Sequence, residues 1–386
     1  MNNFSFRNPT RIHFGKGQIA KIKEEIPADA RVLITYGGGS IKKNGVLEQV
    51  YAALENIIFF EFGGIEPNPH FETLMNAVEL VKQEKITYLL AVGGGSVVDG
   101  TKFIAGAALY DGDPLEMVYT RAAKVKAALP LGCILTLPAT GSEMNGNAVV
   151  TRWETKDKMG MFSELMRPAF SILDPETTYS LPARQVGNGV VDAMVHILEQ
   201  YMTYPVNGKV QDYYAESLLK ILMEDGPQAL TDPMNYDVRA NIMWAATQAL
   251  NGTLNLGMPG DWSIHAIGHQ ITALYGLDHA QTLAIVLPSL LEVMKEEKQA
   301  KLLQYGERVW NLPKDMSVEE KATAAIERTR NFFETMGVKT RMADYGLGQD
   351  VIEPIVANLE AHGMVALGEK GLVTPAIVRR ILSKSL

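Results

Sequence analysis

At 386 residues, with 47% hydrophobic content and a single cysteine, the chain is long enough for two or three domains, yet can form neither an internal disulfide nor a thiolate-built metal site. Its net charge of -8 argues against a nucleic-acid binder, which needs clustered Lys and Arg against phosphate. Residues 1–7 lack the basic-then-apolar pattern of a secretory signal and no apolar run is long enough to span a bilayer, so a cytoplasmic protein with no membrane partner is expected.

From residue 31 onward, short β-branched or aromatic runs (32–36, 57–62, 87–92, 134–137) alternate with stretches of helical periodicity such as 71–82 and 97–109. This alternation predicts an α/β domain, a parallel sheet with helices on both faces, with nucleotide binding at the strand ends as the default expectation. Cys133 falls within one of the apolar runs and reads as buried. Two strands end in the same tetrapeptide, Gly37-Gly38-Gly39-Ser40 and Gly93-Gly94-Gly95-Ser96, each leading into a helical stretch. Glycines let backbone N–H groups approach phosphate oxygens, and a helix N-terminus adds partial positive charge. Neither turn is a G-x-G-x-x-G fingerprint, because Lys42 and Val98 stand at the third glycine; a tight turn would account for either one alone, and their repetition favours phosphate binding.

In dinucleotide folds an acidic side chain at an early strand end holds the adenosine ribose and repels a 2′-phosphate. Here Gly37 to Ser40 take that place, followed by Lys42 and Lys43. Room, a hydroxyl and positive charge favour NADP over NAD, although the two lysines would also suit a solvated surface. The Gly93 to Ser96 turn is then the candidate for the pyrophosphate. A Thr/Gly/Ser loop follows at residues 136–143, then a hairpin over 147–161 and a last strand over 169–173, terminated by Asp174-Pro175.

Past Tyr179 the strand-like runs stop, and helical patterns follow one another at 186–201, 210–223, 237–255, 262–274, 282–295, 317–336, 352–362 and 374–383. With Leu181-Pro182 as the junction, the expected organisation is a dinucleotide-binding domain at residues 1–180 and an all-helical, metal-binding domain at 181–386. The many Met residues of the second half read as core filler.

In the first of these helices Asp192 and His196 lie four apart, which puts a carboxylate and an imidazole on one face. Three of the seven histidines, His265, His269 and His279, fall close together in an otherwise apolar region. One carboxylate with imidazoles from this group would close a divalent-metal site; spacing alone leaves open which histidines ligate, and a surface ion pair or a buried core histidine would produce either half by itself.

Taken together, Phe14-Gly15, the two Gly-Gly-Gly-Ser turns, Glu66-Pro67-Asn68-Pro69, Asp99, Pro138-Ala139-Thr140-Gly141-Ser142-Glu143, the Asp192/His196/Glu199 helix and the His265/His269/His279 region resemble the iron-dependent (group III) alcohol dehydrogenases over essentially the full length, and within them the NADPH-dependent aldehyde reductase and butanol dehydrogenase branch. The resemblance implies an architecture like that of dehydroquinate synthase, with the active site in a cleft between two domains, and a homodimer. It implies that Asp192, His196, His265 and His279 ligate the metal, iron in this family although zinc would accept the same donors. NADP(H) contacts are implied at Gly37, Gly38, Gly39 and Ser40 for the 2′-phosphate, at Gly94, Gly95 and Ser96 for the pyrophosphate, and at Asn68, Asp99, Thr136, Thr140, Ser142 and Lys158 for ribose or nicotinamide. Catalytic parts fall on His269, as proton relay or cofactor contact, and on Asp99. The chain departs from the family pattern at Gly187, where an aliphatic residue is usual, and at Ala280 and Met144.

The expected reaction is reversible reduction of a small aliphatic aldehyde to a primary alcohol, since no arginine pair suited to a carboxylate stands out and Trp244, Leu250, Leu254 and Trp262 supply apolar surface. The competing readings are an NAD-linked polyol dehydrogenase, a lyase like dehydroquinate synthase, and a metal hydrolase that would leave both glycine turns idle.

Overall fold

The inner strands of the main sheet are buried on both faces and read as continuous apolar runs, and all the strands of that sheet pair in parallel. In the computed structural model, which describes residues 1–386, they are β1 (Arg11–Phe14), β2 (Arg31–Tyr36), β3 (Ile58–Phe62), β4 (Tyr88–Gly94) and β5 (Leu131–Leu137); β6 (Asn147–Arg152) and β7 (Asp157–Phe162) make a separate antiparallel hairpin, and β8 (Phe170–Leu173) returns to the sheet. The connecting helices are α1 (Ile22–Glu25), α2 (Val46–Ala53), α3 (Phe71–Gln83), α4 (Gly95–Ala107) and α5 (Leu115–Tyr119). One apolar core, including Leu74, Val78, Phe103 and Val150, lies under α3, α4 and the hairpin; a second, with Ile22, Val46, Val50 and Ile172, covers the other face. The expected α/β domain with helices on both faces is therefore observed.

Sheet order is β1-β8-β5-β4-β2-β3. The chain leaves β2 for the edge strand β3 and then crosses to β4 on the opposite side of β2, so the β2/β4 boundary is the topological switch point where such sheets bind ligands. Tyr36 pairs with Val92 there, which sets the two Gly-Gly-Gly-Ser turns side by side at the carboxyl ends of adjacent strands. β1 escaped the sequence reading, because a four-residue edge strand has too little length to show a pattern.

The second half is helical: α6 (Ala183–Tyr201), α7 (Lys209–Thr231), α8 (Tyr236–Ala249), α9 (Ser263–Tyr275), α10 (His279–Val293), α11 (Gln299–Arg308), α12 (Val318–Thr335), α13 (Ile352–Ala361) and α14 (Pro375–Lys384). Helix α6 is buried continuously from Val186 to Tyr201, the mark of a central helix. Two expected boundaries moved. The pattern at 237–255 yields a helix only as far as Ala249, and α10 begins at His279 because Asp278 and Gln281 form a capping box there.

The chain forms two compact units. The sheet unit is Arg7–Pro182 with Pro233–Thr247; the helical unit is Met1–Phe6, Ala183–Asp232 and Gln248–Leu386. Physical contacts account for the two excursions. Met243 of α8 packs with Leu135 and Leu173 of the sheet, and Thr247 Oγ1 donates to Glu143 at 2.5 Å. Within the helical unit Asn2 N donates to the Gly257 carbonyl at 2.9 Å. No helix is long and apolar enough to cross a membrane.

Gly187, the departure noted above, has a packing cause. A Cβ there would lie 2.1 Å from the Met336 carbonyl oxygen, at the C-terminal end of α12. Backbone cannot yield as a side-chain tip can, so Gly187→Val is expected to destabilise the fold by about 1–3 kcal/mol, read by denaturant unfolding of the metal-free protein. A variant as stable as its parent would refute this packing.

Candidate functional site

Helix α6 carries a polar stripe in an otherwise apolar helix: Asp192, His196 and Glu199 lie on one face and are all buried. Helix α9 brings His265 and the start of α10 brings His279 to the same place. Asp192, His265 and His279 each present a ligand atom within 4.8 Å of the others. His196 stands beside this trio, with Nε2 3.0 Å from Nε2 of His265 and Nδ1 3.7 Å from Asp192 Oδ1; His279 Nε2 is 3.6 Å from that same oxygen. Donors bound to a single ion at bond lengths of about 2.0–2.2 Å stand roughly 3.4 Å apart, so the Nε2–Nε2 spacing of His196 and His265 and the spacing of His279 from Asp192 fit a shared cation. So does the hydrogen bonding of the carboxylate: Asp192 Oδ1 is buried with no hydrogen-bond partner, a costly state that a bound ion would relieve. Burial holds His196 down to about 4, which keeps its ring neutral and able to ligate at neutral pH.

Glu199 is the residue here that the sequence reading named without a role. Its Oε2 bonds Nδ1 of His265, and its Oε1 accepts from Ile264 N at 2.7 Å and His265 N at 3.3 Å. A carboxylate on Nδ1 fixes the ring and turns Nε2 toward the other donors. Burial, then the Asp261 charge, pushes Glu199 up to about 8. Its spacing was a usable signal, because an acidic residue three past His196 stays on the ligand face. His269, one turn beyond His265, is half-buried with its ring 6.0 Å from that of His265 and 5.1 Å from that of His279. Of the expected apolar wall, Trp262 stands edge-on to His265 at 5.8 Å, whereas Trp244 belongs to the sheet unit and packs on Phe14.

The second cluster lies in the sheet unit, at the switch point. β4 runs directly into α4 with Gly94 as N-cap, so the first turn of a 13-residue helix opens at the strand end. A Cβ on Gly95 would meet Thr140 Oγ1 at 2.5 Å, which explains the glycine as a close approach between the turn and the Thr140 loop. Asn68, with φ of 58°, donates its N–H to Ser96 Oγ at 3.3 Å and accepts from Lys158 Nζ at 2.8 Å, bringing three of the expected nucleotide contacts together. Thr136 is buried near the end of β5. At the neighbouring turn Gly39 has φ of 88° and Ser40 starts a short 3₁₀ turn.

Asp99 and Ser142 are also together, but bonded to each other. Ser142 Oγ donates to Asp99 Oδ1 at 2.5 Å and Val149 N donates to Oδ2 at 2.9 Å, so both carboxylate oxygens are engaged within the unit. Beneath them lies Lys102, missed by the sequence reading because it looked like an ordinary helix lysine. It is fully buried and donates to Ser142 Oγ at 2.8 Å, Asn145 Oδ1 at 3.1 Å and the Asn147 carbonyl at 2.7 Å. Three donors meet three acceptors. Glu61 was overlooked as well: it accepts from Tyr36 and Tyr51 hydroxyls at 2.9 and 2.5 Å and lies 3.6 Å from Lys42 Nζ. A carboxylate does stand near the Gly37 loop, with its charge already partnered.

A model of the iron-containing alcohol dehydrogenase matches residues 9–175, and one of the C-terminal part of the same family matches residues 187–372. The chain belongs to the iron-containing alcohol dehydrogenase family. It is 59% identical over 383 residues to the NADPH-dependent aldehyde reductase YqhD of Escherichia coli (strain K12), covering 99% of each chain. It is 38% identical to NADH-dependent butanol dehydrogenase A of Clostridium acetobutylicum across 100% of both. Among solved structures, E. coli YqhD superposes with a TM-score of 0.99 at 58% identity, covering 100% of this chain and 99% of that one. The butanol dehydrogenase A of Thermotoga maritima gives 0.94 at 38%, with coverage of 100% and 99%. The family read from the motifs is thus the one the chain belongs to.

Two outcomes follow for this family member. Gly95→Ala is expected to weaken NADPH binding, read by nucleotide fluorescence titration, while divalent-metal binding is unchanged; equal nucleotide affinity would dismiss the close approach. Burial lowers Lys102 from an ordinary 10.5 to about 8. Between those values the unfolded chain holds the extra proton, so the burial penalty is complete below about 8 and is relieved as pH rises. The unfolding free energy of the parent minus that of Lys102→Met should therefore climb across that window; a flat difference would rule the shift out.

Proposed function

We propose that the protein is a metal- and NADPH-dependent reductase of small aliphatic aldehydes, working reversibly as an alcohol dehydrogenase. The observation that carries this reading is the convergence of Asp192, His196, His265 and His279 in a member of the iron-containing family. When bound, the divalent metal supplies a Lewis acid for the carbonyl oxygen and the reduced nicotinamide supplies the hydride. Mixed nitrogen and oxygen donors accept iron or zinc alike, and family membership favours iron.

The chain's own residues do the rest. Glu199 orients His265, and Asp192 brings the one negative charge that the three neutral imidazoles lack. In the sheet unit Asn68, Ser96 and Lys158 gather at the head of α4 to hold the dinucleotide, and Gly37 to Ser40 offer the 2′-phosphate a loop whose nearest carboxylate, Glu61, is occupied by two tyrosines and Lys42. Asp99, with both oxygens engaged, serves as a positioning residue for the Ser142 loop. In this reading His269 delivers the proton that the product oxygen needs, through water or ribose, the alternative being that it only contacts the cofactor. The 59% identity to an enzyme named as an NADPH-dependent aldehyde reductase supports the coenzyme and the substrate class. A cytoplasmic homodimer belongs to the same proposal: a lone buried cysteine suits a reducing compartment, and the dimer rests on likeness to the family.

The test is butanal reduction on metal-stripped protein reconstituted separately with Fe²⁺ and Zn²⁺, with NADPH and NADH in parallel. Metal-dependent turnover favouring NADPH is expected. A preference for NADH would discard the 2′-phosphate reading of the Gly37 loop, and no turnover with any metal alongside tight nucleotide binding would move the assignment to a lyase. His269→Ala should retain metal and lose about 10²-fold or more in turnover; undiminished turnover with metal retained would end the relay.

A further inference from the structure

The four candidate ligands sit on three helices; the ends of two of them, α6 and α9, meet at one buried ammonium, and the end of the third bonds the backbone of the same residue. Lys298 is 4% exposed. Its backbone N donates at 3.0 Å to the carbonyl of Met294, the residue just past α10. Its Nζ donates at 2.7 Å to the carbonyl of Met202, the residue just past α6. The same Nζ pairs at 2.6 Å with Asp261, in the turn that enters α9, and at 3.3 Å with Glu369.

Asp261 passes this connection inward. It accepts from Ser263 N at 3.0 Å and from Ser263 Oγ, at the first residue of α9, while its own N–H donates to the Glu199 carbonyl at 2.9 Å. Between them Trp262 adopts φ of 61°, a left-handed conformation that a bulky L-residue holds only where its surroundings fix it. Three residues past Trp262 is His265, held by Glu199.

Resting on the metal reading above, we propose that Lys298 is a positioning residue of the metal site: its ammonium fixes the end of α6 against the start of α9 and so sets the spacing of the ligands those two helices carry, Asp192, His196 and His265. Lys298 touches none of them directly. Its effect runs through Asp261 to the α9 turn and through Met202 to the end of α6. An apolar residue in its place would leave the buried Asp261 carboxylate uncompensated, and that charge would be free to draw the α9 turn elsewhere.

The experiment compares parent, Lys298→Met, Lys298→Arg and Glu369→Gln as full chains. Zn²⁺ affinity is measured by chelator competition, the Co²⁺ d–d spectrum reports ligand geometry, and the thermal midpoint of the metal-free protein and its NADPH affinity serve as controls. Lys298→Met is expected to lose about 10–100-fold in Zn²⁺ affinity and to alter the Co²⁺ spectrum. Lys298→Arg should recover most of the affinity, and Glu369→Gln, which leaves the Lys298–Asp261 pair intact, should lose about 2- to 5-fold. Parent-like affinity and spectrum in Lys298→Met, whatever its melting point, would overturn the proposal. Should Lys298→Met fail to fold, parent-like affinity in Glu369→Gln would overturn it, and a graded loss there, with the Co²⁺ spectrum shifted, would support it. A parent that binds neither ion would instead defeat the metal reading itself.

Discussion

The helical unit is organised around a cost: a carboxylate, an imidazole and a second carboxylate buried on one face of a helix that is otherwise core. Asp192, His196 and Glu199 could not be placed there as isolated groups, because burying an unpaired charge costs far more than a helix of this length can recover from packing. The arrangement holds because the stripe is met from two other helices. Glu199 is satisfied by His265 and by two backbone N–H groups, while Asp192 keeps a buried oxygen without a hydrogen-bond partner, which a cation would satisfy. That asymmetry separates the residues that hold the site from those that serve it.

In the sheet unit the controlling fact is topological. Because the chain reverses direction between β2 and β4, two separate strand ends become neighbours, and the repeated Gly-Gly-Gly-Ser sequence becomes one continuous stretch of accessible backbone. The helix that follows β4 contributes its N-terminus, and Asn68, Ser96 and Lys158 join it from three different segments. The accessible backbone is thus set by where the sheet turns, and the side chains are added to it.

Much of this was legible in the sequence. Period-two and continuous apolar runs marked four of the six sheet strands closely and the fifth as a last strand, and the i, i+4 pair of Asp192 and His196 predicted a shared face. What failed were features whose meaning depends on tertiary context. β1 is too short for periodicity to register, and α8 stops at Ala249 although the residues that follow have helical composition. Glu61, Lys102 and Lys298 look like surface charges in sequence, since long charged residues are rarely buried and nothing local marks those that are. Spacing could not choose between His265 and His269; in the structure, the Glu199 bond to His265 is what distinguishes them.

The two units use the same physical device. In each, a lysine gives up its hydration and is repaid with a full set of acceptors: Lys102 by Ser142, Asn145 and the Asn147 carbonyl, Lys298 by Met202, Asp261 and Glu369. The environments differ in charge. Lys102 bonds two neutral side chains and a carbonyl, and burial pulls its pKa down; Lys298 has two carboxylates, and despite the burial that opposes them they hold its pKa up. The Lys298 ammonium is thus held in its charged form by the two carboxylates that face it. Lys102, by contrast, is held by neutral acceptors alone beneath the Ser142 loop, so its ammonium keeps a weaker hold on its proton.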